Sequence, residues 1–167
     1  MFNKLNKVIM IVAILTTLTS QASADKGFYT GLQYQRHTGL GFSAKIDLTN
    51  QLTTQVVLDF LGDMDAYTAK AAYSIVQEPY FDLYGYSSVA MWKWNYTYYY
   101  GWRVHSENMF VFGGGTGIEY DLRGIGKEFD IPLFISAELG LLYVTKTKYY
   151  SNDGIGVDFN LALHYKF

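Results

Sequence analysis

The last eleven residues, 157–167, read VDFNLALHYKF and alternate without a break. Val157, Phe159, Leu161, Leu163, Tyr165 and Phe167 are apolar or aromatic, and Asp158, Asn160, Ala162, His164 and Lys166 lie between them. A strand turns successive side chains to opposite faces, so this segment has one apolar wall and one mostly polar wall.

The same period of two runs through most of the chain and predicts seven further strands, at 27–36, 39–48, 52–60, 66–76, 80–92, 108–122 and 129–144. In the second of these, Leu40, Phe42, Ala44 and Ile46 oppose Gly41, Ser43, Lys45 and Asp47. Only the stretch 80–92 is ambiguous. Phe81, Leu83, Val89 and Met91 suggest one apolar face, but Tyr84, Tyr86 and Trp92 compete on the other, and its facing stays open. Eight strands joined by hairpins return both ends of the chain to one side. Short turns are expected there, near Asn50, Pro79 and Gly126, with connections at 36–39, 61–65, 93–107 and 145–155 on the opposite side. The expected fold is all-β, an eight-stranded antiparallel up-and-down transmembrane barrel with its wider apolar face outward. A soluble barrel would need the reverse.

Residues 1–24 have the layout of a cleaved secretory signal peptide. Lys4 and Lys7 form the positive flank, 8–15 the apolar run, and Ala22-Ser23-Ala24 the cleavage site. The apolar run is shorter than the roughly 20 residues a spanning helix needs. The barrel domain is then 25–167. Loss of Lys4 and Lys7 leaves 11 basic against 15 acidic residues, a net charge of −4, which argues against a nucleic-acid partner. The chain has no cysteine, so export brings no disulfide to stabilise it. A closed sheet in lipid stabilises without one, because every backbone group pairs internally. Sixteen tyrosines suit a structure that crosses a lipid–water boundary.

With these features in place, the chain resembles the small bacterial outer-membrane β-barrel group, which includes the OmpA transmembrane domain, OmpX and the opacity-type porins. The resemblance rests on GFYTGLQY, FVFGGGTGIEYDL, DIPLFISAELGLLY and the closing LALHYKF. It implies a Gram-negative outer-membrane location and contact with membrane lipid and lipopolysaccharide. It also implies a monomer, inserted by the barrel-assembly machinery. Leu161, Leu163, Tyr165 and Phe167 match the C-terminal signal which that machinery reads. No peptidoglycan-binding domain follows Phe167, so cell-wall tethering of the OmpA kind is not expected.

The polar faces place Lys45, Lys70, Glu119, Glu138, Asp158, His164 and Lys166 in the lumen. Charges there need partners, so they are expected to form a structural ion-pair and hydrogen-bond network. A narrow pore for ions or small solutes is the alternative. An eight-stranded barrel is only just wide enough for its own side chains, which favours the network. Two lipid A-modifying enzyme families share the architecture. The only His/Ser/Glu cluster here, His105-Ser106-Glu107, places adjacent residues on opposite faces of a strand, and the deacylase's His-x-Ser spacing is missing. No enzyme activity, cofactor or metal is expected. The aromatic run WKWNYTYYYGW at 92–102 is the candidate for surface contact, through Trp94, Tyr98 and Trp102, because aromatic rings supply rigid contact area. The expected role is therefore non-enzymatic: envelope integrity or surface interaction through the outer loops.

Overall fold

The computed structural model describes residues 27–60, 64–97, 104–126, 130–145 and 154–167, with 95–97 and 104–107 as backbone. The proposed signal peptide at 1–24 lies outside them. Eight strands follow in chain order: β1 Phe28–Gln35, β2 Gly39–Asp47, β3 Leu52–Asp59, β4 Met64–Glu78, β5 Phe81–Thr97, β6 Val104–Asp121, β7 Leu133–Val144 and β8 Gly154–Lys166. Each pairs antiparallel with the next, and β8 returns to β1, so the sheet closes into a barrel. Closure leaves the body of the sheet with no edge, the condition a sheet must meet in lipid. The amide of Phe167 completes the seam by donating to the carbonyl of Phe28 at 2.9 Å. Gly31 makes the seam possible: a Cβ there would lie 1.9 Å from the Leu163 carbonyl oxygen of β8.

The alternation seen in the sequence is expressed in space. Val157, Leu161, Leu163 and Tyr165 face outward, as do Phe112 and Ile118 of β6 and Leu139 and Leu141 of β7, and Leu139 is 60% exposed. Inward lie Gln33, Ser43, Lys45, Gln55, Lys70, Glu119, Glu138, Asn160 and His164, all buried. A small barrel with apolar side chains outside and ionic ones inside is built for a bilayer. Up-and-down barrels of this kind occupy bacterial outer membranes, and that is where this protein resides.

The structure settles three stretches that the sequence leaves open or bounds differently. β5 resolves the open facing: Tyr84, Tyr86 and Trp92 point inward, while Val89 and Met91 point out. Room for the inward rings comes from glycines across the lumen wall. A Cβ at Gly117 would lie 2.5 Å from the Tyr84 ring, and one at Gly140 2.5 Å from the Tyr86 hydroxyl. Second, the connection expected at 93–107 is mostly strand, since β5 runs on to Thr97 and β6 begins at Val104. Third, β7 begins at Leu133 rather than 129, after a 3₁₀ turn at Leu122–Ile125. That turn is capped by Asp121, which accepts from the Arg123 amide at 3.0 Å.

Candidate functional site: the lumen and the projecting hairpin

The lumen is stacked in three tiers. At the end holding Gly27 and Phe167, the ring of Tyr29 is approached by the ammonium groups of Lys45 and Lys166, at 4.7 and 5.0 Å from its centroid. Its hydroxyl donates to Asp47 at 2.9 Å, and Thr53 donates to the other Asp47 oxygen at 2.8 Å. Phe134 packs edge-on against Tyr29. Arg123 forms an ion pair with Asp121 at the rim.

The middle tier holds two buried ion pairs, Lys45 with Glu119 and Lys70 with Glu138. Each joins residues far apart in sequence that the ring's register brings face to face. Glu138 also accepts from Tyr84 at 3.1 Å and from Asn160 at 2.9 Å, and Asn160 donates to Asp158 at 3.0 Å. Lys70 lies 5.2 Å from the Tyr86 ring centroid. A separate chain of contacts holds His164. Its Nε2 is 2.9 Å from the Ser43 hydroxyl, and Gln55 donates both to Ser43 at 2.6 Å and to Gln33 at 2.7 Å. A charge buried with such partners is held, whereas one without them would be costly.

The third tier, at the opposite end, is apolar. Ala66, Ala90, Trp92, Met109, Val111, Leu142 and Val144 form one buried cluster, with Met64 packed against it. His37, in the turn between β1 and β2, stacks on the Trp92 ring at 5.8 Å between centroids. Beside this tier Thr38 donates to the buried Asp59 carboxylate at 2.6 Å. This tier adds an apolar layer to the ionic lumen expected from the polar faces. Hydropathy alone does not reveal the inward apolar residues, because valine and leucine look alike on either face. The signal that finds them is strand parity, since Val111, Leu142 and Val144 share a face with Glu119 and Glu138.

The seven lumen candidates therefore occupy distinct settings. Lys45 and Glu119 form one pair, and Lys70, Glu138 and Asp158 belong to a second cluster joined through Asn160. His164 sits with Ser43, and Lys166 stands at the lower mouth over Tyr29. Leu161, Leu163 and Tyr165 of β8 form an outward row that Phe167, just past its end, continues, with the Tyr165 and Phe167 rings 4.9 Å apart. Trp94 is on β5, partly exposed, and its backbone is opposite Met64 and Glu107. Tyr98 and Trp102 lie outside the described residues. Among the described residues, no group of three or more His, Asp or Glu side chains is arranged to hold a metal ion.

At the apolar end β5 and β6 form the longest described hairpin. Among the described residues, pairing between β4 and β5 runs up to Met64 opposite Trp94, and pairing between β6 and β7 up to Val111 opposite Val144. β5 and β6 continue together to Thr97 opposite Val104. They are 17 and 18 residues long. A tilted strand needs only about 9–11 residues to cross the hydrocarbon core. β5 and β6 exceed that length by several residues, and past Trp94 they pair for three more, about 10 Å of strand at about 3.3 Å per residue.

No family model matches the sequence, and no curated protein matches it. Solved structures do. The N-terminal β-barrel domain of Pseudomonas aeruginosa OprF aligns with a TM-score of 0.56 at 12% identity, covering 84% of this chain and 97% of that one. Outer membrane protein H (OprH) of P. aeruginosa aligns with a TM-score of 0.59 at 11% identity, covering 84% of this chain and 99% of that one. At such identities the likeness establishes the fold, which is that of the small eight-stranded outer-membrane barrels.

Proposed function

We propose that the protein is a non-enzymatic outer-membrane barrel that makes surface contacts through the projecting β5–β6 hairpin, on a lumen sealed against solutes. The observation that carries this reading is the length of β5 and β6, 17 and 18 residues, against the roughly 9–11 that cross a bilayer, with Trp94 partly exposed on β5. Residues 95–97 and 104–106 take ladder partners from each other, and a strand edge raised above the bilayer is a surface on which an extended segment can pair. Nearer the membrane, Phe110 is tied to the barrel body by its carbonyl, which accepts from the Thr145 amide at 2.9 Å. Tyr98 and Trp102 fall in the sequence between the two strands and add aromatic side chains to the same hairpin.

The sealed lumen supports a non-conducting role over the narrow pore. A solute would have to cross the apolar tier under His37 and then break through both buried ion pairs. The sequence lacks the His-x-Ser spacing of the lipid A deacylase, which supports a non-enzymatic reading over lipid A modification. In this account residues 1–24 direct export, the outward row ending at Phe167 guides insertion by the barrel-assembly machinery, and the inserted protein is a monomer in contact with lipid and lipopolysaccharide. The test is the combined variant Trp94→Ala, Tyr98→Ala, Trp102→Ala, displayed on cells and checked for heat-modifiable gel migration. Binding to host cells, extracellular matrix and lipopolysaccharide should fall. Unchanged binding on all three removes the hairpin as the contact surface.

A further inference from the structure

The end of the lumen opposite the apolar tier opens into a cup of about 680 Å³, lined by Tyr29, Asp47, Asp82, Glu119, Phe134 and Lys166 among others. That is within the range of sites that hold small ligands, roughly 300–1,000 Å³. Above it a narrower recess continues inward, also lined by Asp82. Most charges around this space are matched: Lys45 with Glu119, Arg123 with Asp121, and Asp47 with the hydroxyls of Tyr29 and Thr53.

Two are not. Asp82 makes no hydrogen bond or ion pair among the described residues, and it stands across the ladder from a second carboxylate, Glu119. Lys166 likewise makes no direct ion pair among them; its ammonium rests against the Tyr29 ring, and it meets the charges of Asp82 and Asp121 only at longer range. The lumen elsewhere joins its lysines and glutamates directly, so one anion and one cation that attract each other without a direct ion pair, on the wall of one open cup, form a complementary set. An aromatic floor at Tyr29 and Phe134 completes it.

We propose that this cup binds a small zwitterion of amino-acid to tripeptide size, its ammonium on Asp82 and its carboxylate on Lys166. The size follows from the cup, and the two charges follow from the two unmatched side chains. The site is separate from the projecting hairpin and stands whether or not the hairpin binds anything.

The experiment uses the full mature chain refolded in detergent micelles, followed by backbone NMR during titration with L-alanyl-L-alanine. N-acetyl-L-alanyl-L-alanine lacks the ammonium, L-alanyl-L-alaninamide lacks the carboxylate, and the doubly blocked peptide lacks both. Dialanine should shift resonances of Asp82, Lys166 and Tyr29, and each singly blocked peptide should bind about tenfold more weakly, the loss of one charged contact. Asp82→Asn should weaken dialanine about tenfold while leaving the N-acetylated peptide unchanged. Lys166→Gln should do the same with respect to the amide. Lys166→Gln lies at the closing seam, and if it does not fold, Asp82→Asn and the blocked peptides decide the matter alone. The proposal is overturned if dialanine produces no shifts at about 20 mM, well above the millimolar binding that corresponds to about −4 kcal/mol. It is also overturned if the doubly blocked peptide shifts the same residues as strongly.

Discussion

Replacing Lys70 with methionine tests whether the lumen is held by its buried ion pairs. The substitution keeps the side chain's length and most of its volume but removes the ammonium from Glu138, which is 5% exposed. Breaking a buried pair from one side costs about 3–5 kcal/mol, because the remaining charge is stranded. Glu138 would keep its hydrogen bonds from Tyr84 at 3.1 Å and Asn160 at 2.9 Å, which places the loss at the lower end. About 3 kcal/mol is roughly a 150-fold fall in the folding equilibrium constant. Equilibrium unfolding in urea from lipid vesicles, followed by tryptophan fluorescence, reads this directly. The double variant Lys70→Met, Glu138→Leu removes both charges and should recover most of the loss, since an apolar replacement of a buried pair is often neutral. If Lys70→Met costs less than about 1 kcal/mol, the value of an exposed pair, Lys70 and Glu138 do not meet in a dry interior. A double variant no better than the single one would refute the same reasoning.

Three other outcomes follow from the same architecture. Gly31→Ala sets a methyl against the Leu163 carbonyl, a backbone atom that no side-chain rotation can move. It should therefore split β1 from β8 and abolish the heat-modifiable gel shift; a fully shifted product would show that the seam has slack. Leu139→Arg places a charge on the outward face midway along β7 and should cost about 2–4 kcal/mol in vesicle unfolding, and a cost near zero would mean that Leu139 does not meet hydrocarbon. Purified protein in planar bilayers should show no conductance steps, whereas reproducible steps would contradict a lumen closed by Trp92, Met109 and Leu142.

The stretches of this fold legible in the sequence are those where one face carries a different chemistry from the other. β2 and β8 alternate apolar with polar residues, and their strands, facing and place in the barrel follow at once. β5 resists because its lumen face is aromatic. Tyr84 and Tyr86 present apolar rings with polar tips, so hydropathy ranks them with Val89 and Met91 on the lipid side. What places them inside is the absence of side chains at Gly117 and Gly140, on other strands. The apolar tier escapes for a related reason, since Leu142 and Val144 look as suited to lipid as Leu141 and Tyr143 beside them. The charged lumen residues are visible as a class but not as partners. Lys45 meets Glu119 only because of how the strands register around the ring. The projecting hairpin reads as a loop because residues 93–97, KWNYT, contain no aliphatic residue and include Asn95, a residue common in turns.

The central claim is the orientation of the sheet, apolar side outward and ionic side inward. The chain's lack of cysteine allows a clean test, with single cysteines placed in turn at 157–165 along β8, spin-labelled and reconstituted in lipid. Collision with oxygen, which concentrates in the bilayer, should be high at 157, 159, 161, 163 and 165 and low at the positions between. A nickel complex confined to water should reach none of the odd positions in mid-membrane. An inverted alternation, or uniform access of the nickel complex along the strand, would contradict a barrel seated in lipid by that face.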